Sequence, residues 1–144
     1  MKMTLDQYKT LRDQINHDYI RYDASWEEKD SALHQLWLDF VDGLEPGDHA
    51  SVKLWSDEEP CTVIRRTAKT ITVRYDKAER DPNWKPEWIP GGFSAICTND
   101  SEQKWIITED PNGSTETFRM TKRGWEHNGC RLTPGWHKYY DYNF

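Results

Sequence analysis

At 144 residues, with 25 Asp and Glu against 19 Lys and Arg, the chain carries a formal net charge of -6. That length suits one core rather than two independent ones with long linkers, and the acidic balance argues against a surface that binds polyanions throughout. A mean hydropathy of -1.00 would suit a disordered chain, yet eight Trp, seven Tyr and four Phe each offer roughly 150–250 Å² of buriable surface, enough to close a core.

The first residues, MKMTLDQYKT, hold no apolar run of signal-peptide length, and no stretch approaches the ~18 apolar residues of a membrane span. A cytoplasmic protein with no membrane association is the expectation. Three cysteines at irregular spacing fit reduced thiols better than a disulfide framework.

Thr4 and Gln7 have capping-box spacing, and Leu5, Tyr8, Leu11, Ile15 and Tyr19 recur at helical intervals, predicting a helix over about residues 4–22. Ser25 and Glu28 repeat the signature before Leu33, Leu36, Trp37, Phe40, Val41 and Leu44, predicting a second helix to Asp42 that Gly43 ends. The short link at residues 22–24 favours an antiparallel hairpin. From residue 46 the period changes to two. Ala50, Val52 and Leu54 alternate with polar residues, and Cys61–Arg66 and Thr70–Tyr75 are β-branched segments joined by a short turn.

Residues 76–92, with Pro82, Pro86, Pro90, Trp84 and Trp88, read as an ordered irregular loop pinned to the barrel. Asn112-Gly113 between Trp105–Glu109 and Thr115–Met120 predicts a tight hairpin. A last strand is expected over Cys130–Leu132, and the aromatic end, Tyr139 to Phe144, is expected to dock. The elements predict an α+β chain in one compact unit. Residues 1–45 form a helical hairpin annex, and residues 46–144 a small antiparallel, SH3-like β-barrel or sheet; that likeness carries no function by itself.

Metal binding is weighed on Cys61, Cys97, His127 and Cys130, which would make a four-ligand zinc set. No Cys-x-x-Cys pair is present, so isolated buried cysteines are the preferred reading and no cofactor is expected. No nucleophile elbow, His-Glu-x-x-His or phosphate-cradling glycine loop occurs, and the five histidines are scattered. The expectation is a binding protein without an active site.

Charge is unevenly placed: residues 1–60 hold 6 Lys and Arg against 14 Asp and Glu, and residues 61–144 hold 13 against 11. An acidic helical face could meet a basic partner, though a solvated helix surface is the commoner meaning. Arg65, Arg66, Lys69 and Arg74 crowd near Tyr75, Trp84 and Trp88, the mixture that nucleic-acid binding uses. Asp76, Glu79 and Asp81 interrupt that patch, and the arginines could simply be the solvated face of the strands. Trp55, Trp84, Trp88 or Trp136, if exposed, would mark a partner surface.

The strings Thr70 to Lys77, Pro90 to Phe93 and Tyr140 to Phe144, in a stretch from about residue 47 onward, resemble a family of small proteins carried by phages, prophages and integrative elements of Gram-positive bacteria. The resemblance leaves out the helical hairpin and implies a mobile-element origin more than a mechanism. Ile96 stands where that pattern has a histidine before Cys97, which weakens a metal or Cys–His reading there. Small acidic proteins of such elements resemble inhibitors of host defence, including anti-CRISPR proteins that occupy the nucleic-acid channel of Cas9 or its guide complex. The implied function is inhibition of a host defence protein. Charge placement, not any family motif, nominates Asp13, Asp18, Asp23, Glu27, Glu28, Asp39 and Asp42 for contact with it, joined by Trp84 and Trp88. A nucleic-acid-binding module centred on Arg65, Arg66, Lys69 and Arg74 is the alternative.

Overall fold

The Thr4 backbone N–H donates to Gln7 Oε1 at 2.9 Å and the Gln7 N–H to Thr4 Oγ1 at 3.1 Å, satisfying donors that no earlier helical turn can reach. From this cap α1 runs over Leu5–Arg21, and α2 spans Trp26–Asp42. The computed structural model describes residues 2–21, 26–91 and 94–143. The link between the helices, including the cap expected at Ser25, lies outside the described residues. Tyr8, early in α1, packs on Phe40, late in α2, with ring centroids 5.3 Å apart, so the helices are antiparallel. At the end of α2 the Gly43 N–H turns back to the Phe40 carbonyl at 3.1 Å.

Ten strands are present among the described residues: β1 His49–Lys53, β2 Glu58–Arg66, β3 Thr70–Tyr75, β4 Lys77–Arg80, β5 Trp88–Gly91, β6 Ser94–Cys97, β7 Trp105–Thr108, β8 Thr115–Thr121, β9 Gly124–His127 and β10 Cys130–Thr133. Six of them close a barrel in the order β1-β10-β9-β8-β3-β2, every neighbour antiparallel. Closure leaves the barrel no open edge along the length over which β2 and β3 pair. Alternation sends Ala50, Val52, Cys61, Val63, Ile71, Val73, Phe118, Trp125 and Leu132 inward, all essentially without solvent exposure.

The helices belong to the same core. Trp37, Phe40, Val41 and Leu44 from α2 and its C-terminal extension join the barrel's apolar interior, each such burial stabilising by roughly 1.5–3 kcal/mol. The Trp37 indole N–H donates to the Leu132 carbonyl at 2.7 Å, which satisfies its polar atom on the barrel wall. α2 therefore plugs the end of the barrel where β9 begins.

Two expectations are corrected in the second half of the chain. Residues 76–92 are not one irregular loop: β4 pairs with β7 and β5 with β6, forming two further two-stranded sheets. Pro90 is tolerated in β5 because a two-stranded sheet has an outer edge that needs no N–H donor. Trp84 and Trp88 pack against Tyr142 of the C-terminal tail, so they pin these strands to the tail rather than to the barrel.

Asn112-Gly113 does not close a hairpin, because β7 and β8 pair with β4 and β3 and not with each other. The four segments make one long ribbon, β3–β4 against β7–β8, bent near Asp76 and Asp110. Glycine is needed at 113 for another reason: a Cβ there would lie 2.0 Å from the Tyr75 carbonyl oxygen. The Asn-Gly hairpin is at Asn128-Gly129, where φ values of 49° and 81° are those a two-residue turn between β9 and β10 requires. The sequence reading had no strand at β9.

Where the ribbon leaves the barrel, the Asp76 side chain is fully buried. It accepts from the Thr62 hydroxyl at 2.6 Å, the Trp136 indole at 2.9 Å and the Asp110 backbone N–H at 3.2 Å, with the Arg74 guanidinium 3.9 Å away. One carboxylate thus joins β2, the ribbon bend and the tail. Past it, Glu58 and Tyr139 exchange backbone hydrogen bonds at 2.9 and 3.0 Å, and the Asn143 amide pairs with both backbone groups of Cys97 at 2.7 and 3.0 Å. The tail docks as expected.

Two substitutions probe this framework. At Gly124, φ is +107° and a Cβ would stand 2.7 Å from the Trp37 ring, so Gly124→Ala should cost about 2–3 kcal/mol in urea unfolding. Asp76→Ala strands the Thr62 and Trp136 donors and should cost about 2–4 kcal/mol, with faster proteolysis of the tail as its local signature.

Candidate partner-binding surface

α2 divides its residues between two duties. Leu36, Trp37, Phe40 and Val41 are buried, while Glu28, Gln35, Asp39 and Asp42 follow at intervals of seven, four and three and share an outer stripe. Glu27, Glu28, Asp39 and Asp42 are all exposed. The Gln35 amide donates to Asp39 at 2.8 Å, and Asp42 holds Arg66 through its backbone carbonyl at 3.0 Å and its carboxylate at 3.4 Å. On α1, Asp13 is exposed beside Arg12 at 3.3 Å, and Asp18 is half-buried beside His17 at 3.5 Å. Asp23 lies outside the described residues.

Trp84 and Trp88 do not extend this surface. Trp84, nominated as a contact residue, is 6% exposed beneath Tyr142 and has no face to offer. Trp88 is 47% exposed but sits on the β5–β6 sheet, while Trp136 is half-buried and stacked on His49 at 3.8 Å. Trp55, 87% exposed, lies on the β1–β2 turn, at the end of β1 away from the helical plug.

The basic set is split by the fold. Arg66 stacks over Trp125 at 4.5 Å and is engaged by Asp42, while Arg74 is turned toward Asp76. Arg65 and Lys69 remain exposed. Pairing of β3 with β8 sets Thr70 opposite Arg119, and the Met120 N–H bonds the Lys69 carbonyl at 3.3 Å. The β2–β3 turn therefore lies against the end of β8, which brings Arg119, Lys122 and Arg123 to the same rim. The sequence reading grouped none of these three with Arg65. The signal available was the absence of any Asp or Glu in both residues 61–75 and residues 117–125.

The cysteines are dispersed. Cys61 faces the barrel interior, Cys97 is on β6 with its thiol 3.4 Å from Asn99 Oδ1, and Cys130 is half-buried on β10 beside the turn from His127. Among the described residues no group of three or more His, Cys, Asp or Glu side chains is placed to hold a metal ion. The set Cys61, Cys97, His127 and Cys130 is therefore not brought together. Burial pushes the Cys61 thiol up, Asp76 and Glu116 adding to it, and burial raises Cys130 as well, so both stay protonated at neutral pH and are poor nucleophiles. Tyr75 is raised by burial and by its hydrogen bond to Glu116 at 2.7 Å. Among the described residues, no helix is long and apolar enough to cross a membrane.

Two titratable groups fasten the tail. Asp100 accepts the Tyr139 hydroxyl at 2.8 Å and pushes that phenol up to about 12. His137 hydrogen-bonds Glu58 and holds its carboxyl below the usual range against the opposing effect of burial, with Lys53 adding from 3.7 Å. Comparison with protein-family models, with curated proteins and with solved structures finds no match.

Because the Glu58 carboxyl is held below its ordinary value of about 4.3, its contribution to folding is complete above that pH and disappears as pH falls through the lowered value. Glu58→Gln should flatten the acid limb of melting temperature against pH below about 4.3. A variant with the wild-type acid limb would show that this contact does not couple the tail to folding.

Proposed function

We propose that the protein is a non-enzymatic inhibitor of a host defence protein, its acidic helical face occupying a basic channel that otherwise receives nucleic acid. The observation that carries this reading is the exposed carboxylate stripe of α2. Glu28 and Asp42 are fourteen residues apart, which on a helix is about 21 Å. Carboxylates along that length can stand in for a short run of backbone phosphates. The opposite face of α2 is fixed in the barrel core, so the stripe is presented by a rigid element and little ordering is needed on binding.

Electrostatic complementarity of this kind accelerates encounter and falls with salt. The resemblance to phage and mobile-element proteins supports a defence enzyme as the target and makes Cas9 the natural first test. Inhibition by channel occupancy needs no catalytic group, and the raised thiols of Cys61 and Cys130 fit a protein that performs no covalent chemistry through them.

The test is a Cas9 cleavage assay in which the protein is added before or after guide RNA and target DNA. Inhibition should be strong before nucleic-acid loading and weak after it. Charge reversal at Glu27, Glu28 and Asp39 together should weaken inhibition at least roughly tenfold, whereas Glu79→Lys on the distant β4 should not. Order-independent inhibition, or full inhibition by the triple variant, would rule out the acidic-face mechanism; no inhibition would remove Cas9 as the target.

A further inference from the structure

We infer that the barrel rim formed by the β2–β3 and β8–β9 turns is a second binding site, which takes the phosphate backbone of a nucleic-acid strand. This goes beyond the acidic-face reading and does not rest on it. Five cations are exposed together: Lys69, Lys122 and Arg123 on two turns that the Met120 to Lys69 backbone hydrogen bond holds together, and Arg65 and Arg119 on the adjoining ends of β2 and β8. Among the described residues none of the five is in an ion pair, in contrast to Arg66 and Arg74, which the fold engages with Asp42 and Asp76.

The patch runs against the chain's overall charge of -6. Like charges on adjacent turns repel, so the arrangement is stabilised when an anion is shared among them. The rim spans β2, β3, β8 and β9, three inter-strand spacings or about 14 Å. Over that length one strand of B-form duplex presents about four phosphates. A single carboxylate or free phosphate would engage one or two of the five, whereas a backbone engages most of them.

Among the described residues no buried aromatic slot opens between these turns, and the exposed apolar side chains nearest the rim in sequence are Ile64 and Met120. The recognition expected is of backbone rather than of base identity.

Two acidic elements border the rim: Glu126, which the β8–β9 register sets opposite Arg119, and the end of α2. Trp37 and Leu38 flank Gly124, and Asp42 meets Arg66, so Asp39 and Asp42 border the rim on one side. Their field limits the footprint. It also separates the two sites experimentally, since removing negative charge from α2 should strengthen nucleic-acid binding while weakening an acidic-face inhibitor.

The experiment is fluorescence anisotropy of a short labelled DNA duplex and of its single strand, titrated with the full chain at ~50 mM and ~200 mM salt. Binding in the range typical of non-specific contacts, Kd about 10⁻⁶–10⁻⁴ M, is expected, with a log–log salt slope of about -3 on duplex. Lys122→Glu with Arg123→Glu should abolish the anisotropy change at both salts. Asp39→Asn should tighten binding about two- to fivefold. Both variants are at exposed positions, and their melting temperatures report whether the fold is intact. The inference is overturned by an absence of binding at ~50 mM salt, or by binding that the Lys122 and Arg123 variant leaves unchanged with its fold intact. Full Cas9 inhibition by the α2 charge-reversal variant, with DNA binding retained, would overturn the acidic-face reading and leave the rim standing alone; wild-type Cas9 inhibition together with DNA binding that the Lys122 and Arg123 variant leaves unchanged would overturn the rim and leave the acidic face standing alone.

Discussion

The Asp76 carboxylate settles a geometric problem that the rest of the molecule depends on. A six-stranded barrel closes only if each strand has two partners, yet β3 and β8 leave it to form the ribbon that continues as β4 and β7. Their departure would expose the edge of β2 around Glu58 and Pro60. The C-terminal tail covers that edge, and Asp76 fixes it there, since the same side chain receives Thr62 from β2, Trp136 from the tail and the Asp110 N–H from the ribbon. A buried carboxylate is costly unless every lone pair is engaged. Here donors from three parts of the chain converge on it, so the junction forms only when all are in place.

Closing the barrel this way leaves its two ends unequal. One end is plugged by α2, whose inner face is Trp37, Phe40 and Val41 and whose outer face is carboxylate. The same end carries the two turns with the exposed Arg and Lys residues. Acidic and basic surfaces thus adjoin, and the Asp42–Arg66 contact at 3.4 Å is where they meet. The pairing at that border leaves Glu27 on one side and Lys122 and Arg123 on the other as exposed charges outside it. A net charge of -6 describes neither surface, because it averages two fields of opposite sign.

What was legible in the sequence was what local physics determines. The Thr4–Gln7 box, the helical spacing of apolar residues and the alternation through β1 and β3 each depend on neighbours a few residues away, and each is present. Fold class followed from them. The failures concern pairing at long range. Asn112-Gly113 carries the same short signal as Asn128-Gly129, but which of them closes a hairpin depends on whether the flanking strands are each other's partners, and β7 and β8 have others. The pairing of β1 with β10, about eighty residues apart, has no local signature at all. The strands in residues 76–91 were hidden by prolines, which exclude central strands but not outer edges.

The same distinction explains how the candidate surfaces were read. The acidic stripe lies on one helix, so its spacing could be taken directly from residue numbers, and Glu28, Asp39 and Asp42 share a face as periodicity requires. The basic set crosses strands, and sequence proximity misgrouped it. Arg65 and Arg66 are adjacent in the chain but point to opposite sides of β2, one to solvent and the other across Trp125 to α2. Arg119, some fifty residues away, shares the exposed rim with Arg65, as Arg66 does not. Once a sheet is involved, a run of like charges measures only how many cations are present, and the register decides which of them share a surface.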